Sequence, residues 1–513
     1  MSLRLNVLGY DESHDSESDH NGDDFEEAGL RRGGPTFASY ADAGGVNERL
    51  RSFLASVLPR VFRSSGYKRL NGSKRQQVPT LRKRRLCTLL NIVLGLGLVY
   101  VLITVLFRPS YTRPPKHYGD LQRRAAESDG DGRANPAKQK VFIAASLYDE
   151  GGHILRGQWG QAVLQLIDLL GQENVYLSIY ENAGDDGSIA AQEELRGKIK
   201  CRHSILYDPD FVMEDVPHFE LPDGSRRVPR MAFLAAVRNK ALDPLGEEAA
   251  NIKFDKILYL NDVFFRPIDA VQLLFSTNRG EDGKESYRAA CAMDFANPFK
   301  FYDTFASRDT DGFGMGVIFY PWFSSAGNAT SRHDVLQASD AVRVKSCWGG
   351  MVAFDARPFR AEQPLRFRAS DELYWDASEC CLIHADLAAA ISIYDNGDLG
   401  IYMNPFIRVA YEQSTLDWLP FVQRFERLFA IPQWIVNHLV GLPWHNPRRT
   451  EEARSWVDRE VWVQNYNFAE GGSYQTMSRK SKGDGFCGRR GLQLLKKDPQ
   501  EGEKNWEEMA VPG

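Results

Sequence analysis

Five short apolar runs alternate with longer helix-like segments between Val141 and Met293: VFIAAS, VYLSIY, the pair Ile205–Leu206, ILYL and YRAACAM. Runs that are apolar on both faces read as strands covered on both sides, and strands spaced by helices require crossover connections. The segments between them have helical spacing: Ile154 to Leu170, a short helix capped by Ser188, Met231 to Leu242, and a helix opening at Pro267. The pattern predicts an α/β domain built on a mainly parallel twisted sheet with helices on both faces.

In such sheets ligands bind beyond the carboxyl ends of the strands. Four predicted strands end in polar groups: Ser146 in SLYDEGG, Glu181 in ENAGDDGS, Asn261-Asp262 after ILYL, and Asp294 after YRAACAM. Polar residues often end strands simply because loops meet water. Asp262 differs, because Val263, Phe264 and Phe265 follow it at once. A carboxylate held among apolar residues needs a partner, and a divalent cation is one solution. A hard cation with few protein oxygens shares its remaining positions with a substrate phosphate.

The chain N-terminal to this domain is of another kind. Leu86–Phe107 holds 22 residues without a charge, enough to span a bilayer as a helix. The flank before it (Lys68 to Arg85) is more basic than the flank after it, which orients the N-terminus to the cytosol. Residues 1–85 are expected to be a largely disordered cytosolic tail, with a basic amphipathic segment from Leu50 to Phe62 that either lies on the membrane or is a short helix with no membrane role. Residues 108–138 are rich in Pro, Gly and charge and read as a stem. Residues 139–425 form the lumenal domain, and 426–513 are an extension of no assigned role. A net charge of −5 leaves no basic footprint for nucleic acid. Six of the seven cysteines follow the apolar run, where disulfides persist if that side is lumenal. Asn328-Ala-Thr330 is a glycosylation acceptor there.

Further candidates each carry two readings. Arg230 and Arg238 share one helix face, either for phosphates or as a solvated basic face. Asp371, Glu372, Asp376 and Glu379 are dense enough for acid/base or sugar-hydroxyl work, or form an acidic loop. His384 is either structural or a second metal ligand beside Asp262. Trp348 offers a sugar-stacking platform or a core ring.

Taken in order, VFIAASLYDEGG, VYLSIYENAGDDGS, RNKALDPL, ILYLNDVFF, AACAMDFANPFKFYDTFASRD, SCWGGMVAFDARPF, LRFRASDELYWDASECCLIHADL and IYMNPFIRVAYE resemble the fungal capsule-associated protein and cryptococcal α-1,3-mannosyltransferase family, glycosyltransferase family 69. The resemblance covers roughly Val141 to Tyr411. It implies a GT-A fold, a type II protein of the Golgi or another secretory membrane, GDP-mannose as donor, a mannose-containing acceptor, and Mn²⁺ or Mg²⁺. The expected site has Asp262 and His384 on the metal. Ser146, Glu181, Arg238, Asn261 and Asp262 face the donor and Trp348 the acceptor. Asp294, Asp371, Glu372 and Glu379 are the catalytic candidates. The expected reaction is retaining α-1,3 mannosyl transfer. A non-catalytic glycan-binding or assembly protein on the same fold is the alternative, and a hydrolase using paired acids ranks last.

Overall fold

A computed structural model describes residues 80–512 except 183, 391–397, 466–470 and 498–502. The amphipathic segment Leu50–Phe62 and nearly all of the expected cytosolic tail lie outside the described residues. Seven strands make the central sheet: β1 (Val141–Leu147), β2 (Val175–Glu181), β3 (Arg202–Tyr207), β4 (Lys256–Leu260), β5 (Ala289–Asn297), β6 (Met351–Asp355) and β7 (Ile401–Ala410). They stand in the order β3-β2-β1-β4-β6-β5-β7. All run parallel except β6, which is antiparallel to both β4 and β5. Short segments pair on β5 (Lys300–Phe301) and on the far edge of β7 (Val342–Arg343). This is the expected GT-A-like α/β architecture.

The sheet is buried on both faces because its strands, apart from the edge strand β3, alternate two apolar sets. Phe142, Ile257 and Tyr259 pack with Phe233, Val237 and Ala241 of the helix Arg230–Leu242. Ile143, Leu177 and Leu258 face the other way, against the helices Gln158–Leu170 and Pro267–Ser276. Each such aliphatic burial stabilises the fold by about 1.5–3 kcal/mol.

Local signals were partly overruled. The segment predicted as one helix from Ile154 to Leu170 breaks at the extended Gly157, giving a single turn, His153–Arg156, and then the main helix. Ser188 is not the cap of its helix. Asp185 is, accepting from the Ser188 amide at 2.9 Å, while the Ser188 hydroxyl closes a capping box from the third position.

We label the helices that bear on the site and its surroundings α1 (Thr80–Phe107), α2 (Lys116–Glu127), α3 (Gln158–Leu170), α4 (Asp186–Lys198), α5 (Arg230–Leu242), α6 (Pro267–Ser276), α7 (Glu379–Ala390), α8 (Gln413–Val422) and α9 (Ala430–Val440). Within α1, Thr88–Phe107 is long and apolar enough to cross a membrane, with mean hydropathy 2.6.

The expected stem is instead packed on the domain. Ser110, Tyr111, Tyr118 and Leu121 are buried. The Tyr111 hydroxyl donates to the Val335 carbonyl at 3.2 Å. Gln272 of α6 donates to the Tyr118 carbonyl at 2.8 Å, and Asn404 of β7 to the Tyr118 hydroxyl at 2.7 Å. Two tyrosines with buried partners outweigh the local Pro and Gly content that suggested a spacer.

The described parts of residues 426–513 also fold back onto the domain. A disulfide joins Cys381 of α7 to Cys487, and a second joins Cys291 of β5 to Cys347. The Leu495 amide donates to the Val228 carbonyl at 3.0 Å, and Arg308 donates to the Phe486 carbonyl at 2.8 Å. A hairpin of β8 (Trp456–Gln464) and β9 (Gly472–Lys480) completes this part.

Candidate active site

The carboxyl ends of β1, β2, β4, β5 and β7 lie on one edge of the sheet because those strands are parallel, and antiparallel β6 begins there. Gly349 and Gly350 bring the chain into β6 with φ of 60° and 67°, a region that favours glycine. A Cβ on Gly349 would collide with the Ala292 carbonyl. The close approach lets the Gly350 carbonyl accept the Asn261 amide at 2.9 Å.

Asn261 is held on every side. Its carbonyl accepts from the Trp159 indole at 2.8 Å. Its side-chain oxygen accepts from Arg238 at 3.1 Å and from the Trp348 indole at 3.2 Å. Arg238 also donates to Glu379 at 3.1 Å, and its guanidinium lies 4.6 Å from the centre of the Trp348 ring. The fixed Asn261 sets the position of half-buried Asp262, the next residue.

Asp294, on β5, is fully buried. Its carboxylate accepts from the Tyr411 hydroxyl at 3.0 Å and from the Asp303 amide at 3.1 Å. Asp303 is half-buried and accepts from the Ala306 amide at 3.1 Å and the Gly349 amide at 3.2 Å. Burial pushes both acids above the ordinary carboxylate range, and for Asp294 the charge of Asp303 adds to the effect. The Tyr302 ring lies 4.5 Å from that of Tyr411, and its amide donates to the Asp294 carbonyl at 3.0 Å. Burial raises its hydroxyl pKa, Asp294 raises it further, Arg230 opposes, and Asp303 and Asp262 also raise it. One phenol therefore senses three aspartates and an arginine.

On the β1–β2 side the acids serve the scaffold. Asp149 accepts from the Ile154 amide at 2.7 Å and the Leu155 amide at 2.9 Å, holding the single turn after SLYDEGG. Glu181 accepts from the Asp149 amide at 2.9 Å and from Gln192 at 2.8 Å. Burial raises Glu181 to about 7. Ser146 is buried and accepts from the Tyr259 hydroxyl at 3.1 Å.

Several expected roles are corrected. Glu181 and Ser146 are buried, Glu181 committed to the Asp149 amide and Gln192, and Ser146 to the Tyr259 hydroxyl. Arg238 is 8% exposed, so it fixes Asn261 and does not present itself to phosphates. Its partner Glu379 is equally buried, a positioning group whose carboxylate does not open to an acceptor. Trp348 is 3% exposed, with one face under Arg238 and its edges against Tyr259 and Phe367, so it offers no sugar platform. His384 stacks on Phe354, wholly buried, and burial drops its pKa to about 4. Among the described residues one metal-like cluster combines His384 with Cys291 and Cys347. Those two sulfurs form a disulfide, so neither is a thiolate ligand.

Glu372 is held by Arg448 at 2.7 Å, Arg459 at 2.9 Å and Arg479 at 2.7 Å, all from the C-terminal extension. Asp371 is exposed and pairs with Lys482 at 3.1 Å. A cleft of about 130 Å³ opens over Asp371, Glu372, Arg459 and Lys482. Asp371 and Glu372, two of the acids that resembled catalytic groups in sequence, thus anchor the extension.

Sequence reasoning did not single out Asp303, Tyr302 or Tyr411. Tyr302 and Asp303 have one local signal, the stretch FYDTF, an acid between aromatics after a strand, and Tyr411 has none. Arg230, weighed as a phosphate contact or as part of a solvated basic face, is half-buried at the start of α5, donates to Gln493 at 2.9 Å and lies 4.9 Å from the Trp506 ring.

Residues 140–386 match the family model described as Cryptococcal mannosyltransferase 1. No curated protein matches the chain. Among solved structures, a mannosyltransferase from Pyrobaculum calidifontis in complex with GDP-Man and Mn²⁺ is similar at 10% identity, with 65% of this chain and 73% of that chain covered and a TM-score of 0.29. The glucosyl-3-phosphoglycerate synthase of Mycobacterium tuberculosis is similar at 12% identity, covering 68% and 89%, with a TM-score of 0.27. The mannosyl-3-phosphoglycerate synthase of Rubrobacter xylanophilus reaches 13% identity, 71% and 91% coverage, and a TM-score of 0.25.

Proposed function

Taking the match of residues 140–386 to the cryptococcal mannosyltransferase 1 family as the premise, we propose that this protein is a metal-dependent α-1,3-mannosyltransferase using GDP-mannose, with a mannose-containing glycan as acceptor and retention at the anomeric carbon. It acts on the lumenal side of a Golgi or other secretory-pathway membrane, held as a type II protein by Thr88–Phe107. The observation that carries the reading is Asp262, fixed at the carboxyl edge through Asn261 and standing near Tyr302 with Asp294 and Asp303.

The donor set there consists of hard oxygens, which suits Mn²⁺ or Mg²⁺. Asp262 would hold the cation. When bound, it stabilises negative charge on the departing diphosphate. The protein's own groups do the rest. The Arg238–Glu379 pair keeps Asn261 and Asp262 in one position, so that little reorganisation is needed on binding. Half-buried Asp303 replaces the buried acids as the group that orients the acceptor hydroxyl. Arg230, at the start of α5, adds positive charge beside Tyr302 and Glu379.

A second reading, a non-catalytic glycan-binding or assembly protein, is favoured by one observation: the Leu260-Asn261-Asp262 motif has a single acid, its Asn being committed to Arg238 and Trp348. One pair of measurements separates the two. The enzyme binds GDP only with Mn²⁺ present and transfers radiolabelled mannose to a mannoside. Asp262→Asn abolishes both while unfolding as the parent chain does. GDP binding that ignores the cation, or full turnover by the variant, would overturn the assignment.

A further inference from the structure

Helix α9 is amphipathic in the inverted sense. Two of its three polar residues face the protein: Gln433 and Asn437 are each 2% exposed, while His438 in its last turn is exposed. Gln433 accepts from Arg332 at 2.6 Å, and Asn437 accepts from the Val317 amide at 2.7 Å. Its apolar residues Ile431, Trp434, Ile435 and Leu439 face outward, with Ile431 60% and Trp434 47% exposed. A surface helix in water has the opposite arrangement. Its neighbour α8 adds exposed Trp418 and Phe421.

The position of this surface identifies what covers it. The apolar helix α1 ends against the segment that joins α8 to α9. The Ser110 amide, just past α1, donates to the Gln423 carbonyl at 3.1 Å, and α1 also contacts Glu426–Phe429. Thr104, one turn from the end of α1, is buried and Val101 and Val105 are half-buried, whereas the other residues from Thr88 to Phe107 are exposed. The level at which α1 leaves the bilayer is thus the level of α8 and α9. Arg108 and Arg424 are exposed at this junction, suited to phosphate headgroups.

We propose that the outward face of α8 and α9 is a second membrane-docking surface, lying in the leaflet interface beside the transmembrane helix and seating the catalytic domain flush on the bilayer. Trp and Leu on a helix lying in the interface, with Arg at headgroup level, is the composition such surfaces use. The inference rests on the reading of α1 as a span.

The test uses the full chain reconstituted in phosphatidylcholine vesicles, with and without doxyl-labelled acyl chains. An environment-sensitive fluorophore is placed in turn at Ile435→Cys, at Leu94→Cys within the span, and at Lys198→Cys on exposed α4, and the signal of the parent chain is subtracted. The expected result is loss of most emission to doxyl lipid at 435 and 94, none at 198, and iodide quenching at 198 only. Iodide quenching at 435 equal to that at 198, with 94 still quenched by lipid, overturns the docking surface and leaves the span intact. Loss of lipid quenching at both 94 and 435 removes the span and the docking surface together. A label at 435 shielded from both quenchers means that a second copy covers the face, which also overturns the proposal. Trp418→Cys repeats the measurement should Ile435→Cys fail to fold.

Discussion

Arg238 and Glu379 form an ion pair at 3.1 Å, with their side chains 9% and 4% exposed, and the same guanidinium holds the side-chain oxygen of Asn261. A residue of α5 and the first residue of α7 thus set the position of the loop that follows β4. Breaking one partner leaves a buried charge without its mate, which costs about 3–5 kcal/mol. Arg238→Ala should therefore lower the unfolding midpoint strongly in a denaturant titration. The double variant Arg238→Met/Glu379→Leu should recover most of that loss, yet still lose transfer, because Asn261 is no longer held. Equal stability of the single and double variants would contradict the pairing.

Asp303 and His384 make opposite predictions. Asp303→Asn should lower kcat by about 10²-fold or more, in the range removed with a positioned acid or base, and should also lower the unfolding midpoint, because an amide nitrogen replaces one of the two oxygens that accept the Ala306 and Gly349 amides. His384→Leu, a buried neutral ring replaced by a chain of similar bulk, should leave the Mn²⁺ concentration for half-maximal activity unchanged. A raised Mn²⁺ requirement in His384→Leu would restore the histidine as a ligand.

The buried acids set a pH dependence of stability. Burial raises Asp294 and Asp303 above 3.8, and raises Glu181 from 4.5 to about 7. A group that holds its proton more tightly folded than unfolded binds more protons in the folded state, so stability falls as pH rises. Their contribution is full below about pH 4 and, for Glu181, is lost by about pH 7. Metal-free protein should therefore melt at a lower temperature at pH 8 than at pH 5.5. Glu181→Gln should show a shallower slope between those values, and an unchanged slope would count against the assignment.

The Cys381–Cys487 disulfide closes a separation of 106 residues and ties the extension to α7. Removal of such a bond typically costs about 2–5 kcal/mol. Cys487→Ser should lower the melting temperature and, at a temperature where the parent is stable, expose the hairpin Trp456–Lys480 to proteolysis. Non-reducing peptide mapping should recover Cys291 with Cys347 and Cys381 with Cys487.

The alternation of apolar runs determined the sheet, because a strand buried on both faces must be apolar throughout and that pattern is local. The abrupt end of ILYL in Asn261-Asp262 likewise placed a carboxylate at the edge where parallel strands finish. Other features could not be read locally. Glu372 and Glu379 sit seven residues apart in one acidic stretch, yet one anchors the C-terminal extension and the other holds Arg238. Trp348 and His384 each carried a structural and a functional reading, and their burial by distant chain decided for the structural one. Asp303 became a site residue only when β5 and the turn before β6 met around it. The outward apolar face of α9 makes sense only beside the end of α1, more than 300 residues earlier in the chain. Sequence periodicity reports which side of an element is apolar. Which charge meets which partner, and whether an apolar side faces protein or lipid, depends on contacts between residues far apart in the chain, and those exist only once it has folded.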